Sequence, residues 1–151
     1  MIHVECSGKL PAGVSKKLIG SLADAAYILG GGCEDAEVSV SVVGDRKIRR
    51  FNKEYRGKDK VTDVLSFGYG DCPDYDLSDS GKPILQLGDI LICLQQVKRQ
   101  SARAGRHMKG EFALLVVHGI LHLLGYDHTT EKDGRVMSGL EQRALRQIGI
   151  I

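Results

Sequence analysis

A chain of 151 residues has the length of one domain and can bury roughly 68–70% of the surface its unfolded form exposes. With 42% apolar and 26% charged residues, its composition is that of a globular protein and excludes a disordered chain. The longest apolar run, Phe112 to Val117, falls far short of the about 20 residues of a membrane helix, and the start Met1-Ile2-His3-Val4-Glu5-Cys6 lacks a secretory pattern. The expectation is a single soluble, cytoplasmic domain over residues 1–151, with no membrane contact. Cys6, Cys33, Cys72 and Cys93 form no CxxC pair and read as reduced thiols, in the core except for an exposed Cys72.

The formal net charge of +2 hides local asymmetry. Residues 45–60 hold eight Lys/Arg against Asp45, Glu54 and Asp59, and residues 98–109 hold Lys98, Arg99, Arg103, Arg106 and Lys109 with no acid. The acids gather at Asp71, Asp74, Asp76 and Asp79. Basic patches on a nearly neutral chain point to a polyanionic partner.

In chain order, Ile2, Val4 and Cys6 alternate with polar residues as in a half-buried strand. Leu18, Leu22, Ala26 and Leu29 then mark one face of a helix from about Ser15, stopped by Gly30-Gly31-Gly32. Ala36, Val38, Val40 and Val42 predict a second strand. Asp45 reads as the N-cap of a helix to about Tyr55, with Ile48, Phe51 and Tyr55 facing inward. Its other face carries Arg46, Arg49, Arg50 and Lys53 at helical spacing, a stripe suited to tracking a polyanionic backbone. A third strand over Val64–Tyr69 precedes an acidic excursion, Gly70 to Pro83, read as a surface loop. Ile90 to Leu94 predicts a strand buried on both faces, Gln95–Ala104 and Gly110–Leu124 predict helices, and Thr130 caps a last helix to Ile148. The sum is an α+β domain: a mixed sheet of about four strands packed with four to five helices.

Three of the five histidines, His118, His122 and His128, lie within eleven residues; His3 and His107 read as surface residues. His118 and His122 are four apart on a helix and so project from one face, and Gly125 lets the chain turn back and bring His128 to the same point. The spacing H-x3-H-x2-G-x2-H matches the frame of the metzincin zinc proteases. Three neutral imidazoles fill three corners of a Zn²⁺ tetrahedron and leave the fourth open, as in a catalytic site. Leu114, Leu115, Val117, Ile120 and Leu121 place this helix in the core, where two histidines need something to ligate. Zinc proteases of that frame carry Glu after the first His; here the residue is Gly119, which argues against peptide hydrolysis. Phosphodiester cleavage asks mainly for a Lewis acid and a cationic clamp, with a zinc-activated water or an RNA 2′-hydroxyl as nucleophile.

The segment His118-Gly119-Ile120-Leu121-His122-Leu123-Leu124-Gly125-Tyr126-Asp127-His128 resembles the signature of the YbeY family, bacterial endoribonucleases of ribosomal RNA maturation. Tyr55-Arg56-Gly57-Lys58-Asp59-Lys60-Val61-Thr62-Asp63-Val64-Leu65-Ser66-Phe67 and Leu87-Gly88-Asp89-Ile90 agree, so the resemblance covers about residues 45–148. It departs at Gly68, where the family commonly has Pro. The resemblance implies a zinc-dependent, single-strand-preferring endoribonuclease of small-subunit ribosomal RNA 3′-end maturation and ribosome quality control. It implies one Zn²⁺ on His118, His122 and His128, with Arg56 and His118 as catalytic residues. It further implies ribosomal RNA and the small ribosomal subunit as partners, with Asp89 at a position linked to docking on a small-subunit ribosomal protein. Phe67, Tyr69 and Tyr126 are candidates for stacking on unpaired bases, and Asp127 for orienting a ligand imidazole. Two other readings fit the residues: a ribosome-assembly binding module with a structural zinc, and a metalloprotease recruiting an acid such as Asp127 or Glu131.

Overall fold

The computed structural model describes residues 1–69 and 72–151. Gly70 and Asp71, at the start of the acidic excursion, lie outside the described residues. The alternating segments form two parallel neighbours, β1 (Ile2–Ser7) and β2 (Ala36–Val43), with Val4 opposite Val38. α1 (Lys16–Leu29) crosses between them; Ser15 caps it, its hydroxyl accepting the Leu18 N–H at 3.1 Å. α2 (Asp45–Arg56), β3 (Val64–Phe67), β4 (Asp74–Leu77) and β5 (Pro83–Cys93) follow, then α3 (Leu94–Ala104), α4 (Met108–Leu123) and α5 (Glu131–Ile148).

The sheet runs β1-β2-β5-β3, with β1, β2 and β5 parallel and β3 antiparallel to β5. A mixed α+β sheet is thus as expected, with a fifth strand in addition. β5 is longer than its apolar run because its first half pairs with β4, Asp76 lying opposite Ile84. The excursion read as a loop therefore contains a strand. Asp74, Tyr75, Asp76 and Leu77 are all exposed, and Asp is depleted in strands, so neither hydropathy nor propensity marks it.

Alternate residues of β5 serve two cores. Ile90 and Ile92 join the main cluster with α1, α4 and α5, while Leu91 and Cys93 pack with Ile48 and Leu65 beneath α2. Gly88 (φ +131°) sits at the point where β5 slips register against β2, and a Cβ there would meet the Phe67 carbonyl oxygen at 2.0 Å. Phe67 belongs to β3, so only glycine lets β3 close against β5.

Several local expectations change. Gly44, not Asp45, is the N-cap of α2; the Asp45 carboxylate instead takes two hydrogen bonds from Arg99 on α3, at 2.6 and 3.0 Å. Tyr55 is exposed, stacked on Phe51, and the second inward residue of α2 is Asn52, which is buried. Cys33 is exposed, as is Cys72, whereas Cys93 is buried and Cys6 is half-buried. Asp89 stands in mid-strand, exposed, opposite Ser39 and Phe67. Among the described residues no helix is long and apolar enough to cross a membrane.

Candidate metal centre

α4 is apolar nearly all round, with Phe112, Ala113, Leu115, Val116, Val117, Ile120 and Leu121 buried. One half-buried stripe remains, Glu111, Leu114, His118 and His122, and its far end carries the two histidines. The helix closes in a Schellman motif: the Gly125 N–H donates to the His122 carbonyl at 2.9 Å and the Tyr126 N–H to Leu121 at 3.0 Å. Gly125 takes φ +98° there, which turns the chain back as its place in the spacing predicts. The returning loop is tied at both ends. The Tyr126 hydroxyl donates to the Gly30 carbonyl at 3.0 Å, and Thr130 caps α5 by accepting the Asp133 N–H at 3.0 Å.

This arrangement brings His118, His122 and His128 together, one ring nitrogen of each lying within 4.8 Å of the others. The ring centroids are 4.5, 5.6 and 5.4 Å apart. Burial, with the neighbouring His118 and His128, pushes the His122 imidazole below its ordinary pKa. A neutral imidazole is the ligating form, so the environment favours metal over proton. An all-nitrogen set of three with an exposed third member fits a borderline divalent ion such as Zn²⁺ with an open position.

The histidines form one wall of a cleft of about 590 Å³. Another wall comes from the end of α2, the loop after it and β3, with Asn52, Arg56, Lys58, Lys60, Asp63 and Ser66 among its residues. Gly57 (φ +69°) ends α2 and Asn52 organises the following loop, its side-chain amide donating to the Lys60 carbonyl at 2.9 Å. Arg56, the last residue of α2, is held from two sides. Its guanidinium donates to the Ser66 carbonyl at 2.6 Å and lies over the Phe67 ring at 5.5 Å. A second groove of about 540 Å³, lined by Tyr69, Leu87 and Leu124 among others, shares Arg56, Ser66 and His122 with the first.

Not every expected residue reaches the cleft. Arg46, Arg49, Arg50 and Lys53 are exposed on the outer face of α2 and none lines it. Arg49 pairs with Asp59 at 2.8 Å and Lys53 with the same carboxylate at 3.9 Å, while Arg50 lies over Phe51. In the second basic patch, Arg99 is taken up by Asp45 and Arg106 by Glu111. Phe67 is half-buried among Phe51, Tyr55 and Arg56, Tyr126 is half-buried with its hydroxyl engaged, and Tyr69 is exposed. The Asp127 carboxylate accepts the His128 N–H at 2.7 Å and so shapes the ligand loop.

Gly119, the position of the protease Glu, is buried where the cleft meets the sheet. A Cβ there would come within 2.8 Å of the Ile90 side chain, so any larger residue at this position has to displace Ile90. Glu131, offered above as a substitute, is exposed and lies 3.6 Å from Arg135.

The residue that spacing missed is Glu141 on α5, whose Oε1 lies 3.1 Å from Nδ1 of His118. Its one visible signal is a charged residue on the core-facing stripe of α5, midway between the buried Met137 and Leu145.

The structure is similar to the solution structure of a Thermotoga maritima protein, with TM-score 0.59 and 24% identity over 96% of this chain and 91% of that one, a likeness of fold. A Geobacillus thermodenitrificans protein named Endoribonuclease YbeY is 44% identical over 118 residues, 78% of this chain and 76% of its own length. One of the same name from Desulforamulus reducens is 42% identical over 134 residues, 89% and 86% of the two chains. A third, from Myxococcus xanthus, is 42% identical over 127 residues, but the match spans only 41% of that longer protein. The sequence model described as Endoribonuclease YbeY matches residues 12–149, from the start of α1 through the whole histidine corner and cleft, and the chain belongs to that family.

Proposed function

We propose that this protein is a metal-dependent endoribonuclease that cuts single-stranded RNA, using His118, His122 and His128 as the ligands of one Zn²⁺ and Arg56 as the phosphate clamp. The observation that carries the reading is the placement of the three imidazoles and Arg56 in the lining of one cleft. The family name carried by the relatives gives the substrate class.

When bound, the ion supplies Lewis acidity toward a phosphodiester. The chain's own residues do the rest. Arg56 offers a planar fork of donors to a phosphate, geometry that a lysine cannot reproduce. Because Ser66 and Phe67 already hold the guanidinium, little side-chain entropy remains to be lost when substrate arrives. Lys58 and Lys60 add positive potential along the same wall, favouring an anion that gains charge in its transition state. Gly119 supplies no carboxylate for the proton shuttle of proteolysis, which favours phosphodiester over peptide. The half-exposed Tyr69 in the adjoining groove offers a face to an unpaired base, as single-strand recognition requires.

The finer reading is that the RNA is small-subunit ribosomal RNA, cut near its 3′ end in maturation and ribosome quality control in the cytoplasm. In it, the small ribosomal subunit is the partner, the exposed Asp89 faces a small-subunit ribosomal protein, and the α2 stripe of Arg46, Arg49, Arg50 and Lys53 contacts RNA. The test is cleavage of a single-stranded ribosomal RNA fragment by wild type and His122→Ala, purified in parallel and both checked for folding. Cleavage by wild type alone is expected. Equal cleavage by both would remove the histidines from the chemistry, and cleavage by neither would leave a binding module with a structural zinc.

A further inference from the structure

α5 has a core-facing stripe in which Met137, Ala144 and Leu145 are buried and Leu140 and Ile148 are half-buried against the main core. Glu141 sits inside that stripe, one turn from both Met137 and Leu145, with its side chain only 14% exposed. A carboxylate there loses most of its hydration, and an apolar residue would pack more cheaply. No lysine or arginine answers it among the described ion pairs. Its hydrogen-bond partner is Nδ1 of His118, at 3.1 Å, on a ring whose side chain is itself 22% exposed.

A carboxylate can only accept, so the proton of this bond belongs to the imidazole. Nδ1–H is then the occupied end of the His118 ring, and Nε2, with its lone pair, is the end left for a metal. Neither His122 nor His128 has a carboxylate at hydrogen-bond distance from its ring among the described residues, so this support is particular to His118. α5 begins immediately after the loop that carries His128, and packs against α1 and α4 through its apolar stripe. Its own packing therefore fixes where the carboxylate stands before any ion arrives.

We propose that Glu141 is the positioning residue of the metal centre, accepting the Nδ1–H of His118 and so presenting Nε2 of that ligand to the ion. The inference rests on the reading of the three histidines as a metal centre. It needs no particular substrate. Partners of this kind fix ring orientation and raise ligand basicity, and their removal weakens metal affinity by about 10–100-fold.

The deciding experiment joins two readouts. Zinc affinity is measured by chelator competition on wild type, Glu141→Ala and Glu141→Gln, with the thermal melt of each metal-free protein alongside. The ring ¹⁵N spectrum of metal-free wild type, taken at about pH 8 where an ordinary imidazole is neutral, reads the His118 tautomer directly. The proposal expects His118 as the Nδ1–H form in wild type, and a loss of about 10–100-fold in zinc affinity for Glu141→Ala that exceeds anything its metal-free melt explains. Glu141→Gln keeps an acceptor without the charge and falls between the two. An Nε2–H ring in wild type, or unchanged zinc affinity in Glu141→Ala with a lowered metal-free melt, overturns it and reduces the contact to a tie between two helices. Should Glu141→Ala not fold, the wild-type tautomer and Glu141→Gln decide. Failure of wild type to bind zinc at all sinks the metal-centre reading beneath it, a different result from wild-type binding that Glu141 does not affect.

Discussion

On one wall of the cleft the histidines stand on a helix sunk in the core and on a loop pinned by the Tyr126–Gly30 and Thr130–Asp133 contacts. On the other, the cations are Arg56, at the end of a helix α2 that buries little more than Ile48 and Asn52, and Lys58 and Lys60 on the exposed loop that follows. The histidine wall has few freedoms left, because moving His118 or His122 means moving the apolar side chains around them. The cations of this wall, and those on the outer face of α2 beside it, are exposed charges that water can screen, while Arg56 is fixed by two contacts of its own. On the proposed reading, chemistry that needs a fixed point is lodged in packing, while attraction of a polyanion is spread over exchangeable surface charge. Changes on the first wall should act all-or-none, and changes on the second should act by degrees.

The largest expected effect is on the first wall. His122→Ala removes a ligand outright, and zinc affinity should fall by more than the about 10–100-fold that loss of a supporting hydrogen bond costs, with RNA cleavage falling to background. Retention of stoichiometric zinc in that variant, by metal analysis after dialysis, would break the comparison at its root.

Gly119→Glu asks whether Ile90 gives way to the protease base. Because the new Cβ meets Ile90 at 2.8 Å, destabilisation by about 1–3 kcal/mol is expected in a denaturant melt, with no gain of peptide hydrolysis. A variant as stable as wild type would show that the Ile90 contact yields.

A smaller, pH-dependent effect belongs to the far end of α2. The hydrogen bond from Arg99 holds the Asp45 carboxyl below the usual aspartate range. A depressed folded pKa adds stability that is complete above the unfolded value of about 3.9 and is lost as pH falls through the folded one. The melting temperature of Asp45→Asn should therefore fall less steeply than that of wild type as the pH drops below that value; parallel curves would remove the ion pair from the acid response.

Least of all should come from the solvated stripe. Arg46→Ala should lower the slope of log affinity for single-stranded RNA against log salt by about 0.7, one phosphate contact, leaving zinc binding unchanged. An unaltered slope would take Arg46 off the RNA path.

How much of this could be read from residue order follows the same division. The histidine corner was legible because its determinants are local: two imidazoles at helical spacing, a glycine free to take φ +98°, and a third imidazole three residues on. The strands that alternate cleanly, β1 and β2, were legible for the same reason. β4 was not, since Asp74 and Asp76 owe their strand conformation to the ladder with β5 and not to any preference of their own. Asp45 looked like a cap because its type favours one, yet Arg99, 54 residues away, claims the carboxylate. Glu141 could not be paired with His118 by spacing, because 23 residues and a helix-to-helix packing separate them. The role proposed for Arg56 comes from family resemblance, and its fixed guanidinium from a carbonyl on β3 that no helical pattern discloses.

The division of labour between the walls is tested most directly by assaying one preparation of Arg56→Ala twice, for bound zinc and for cleavage of single-stranded RNA. The account predicts one zinc per chain, held as in wild type, with cleavage reduced by about 10²–10³-fold, the usual cost of removing a group that stabilises transition-state charge. Cleavage at the wild-type rate would contradict it.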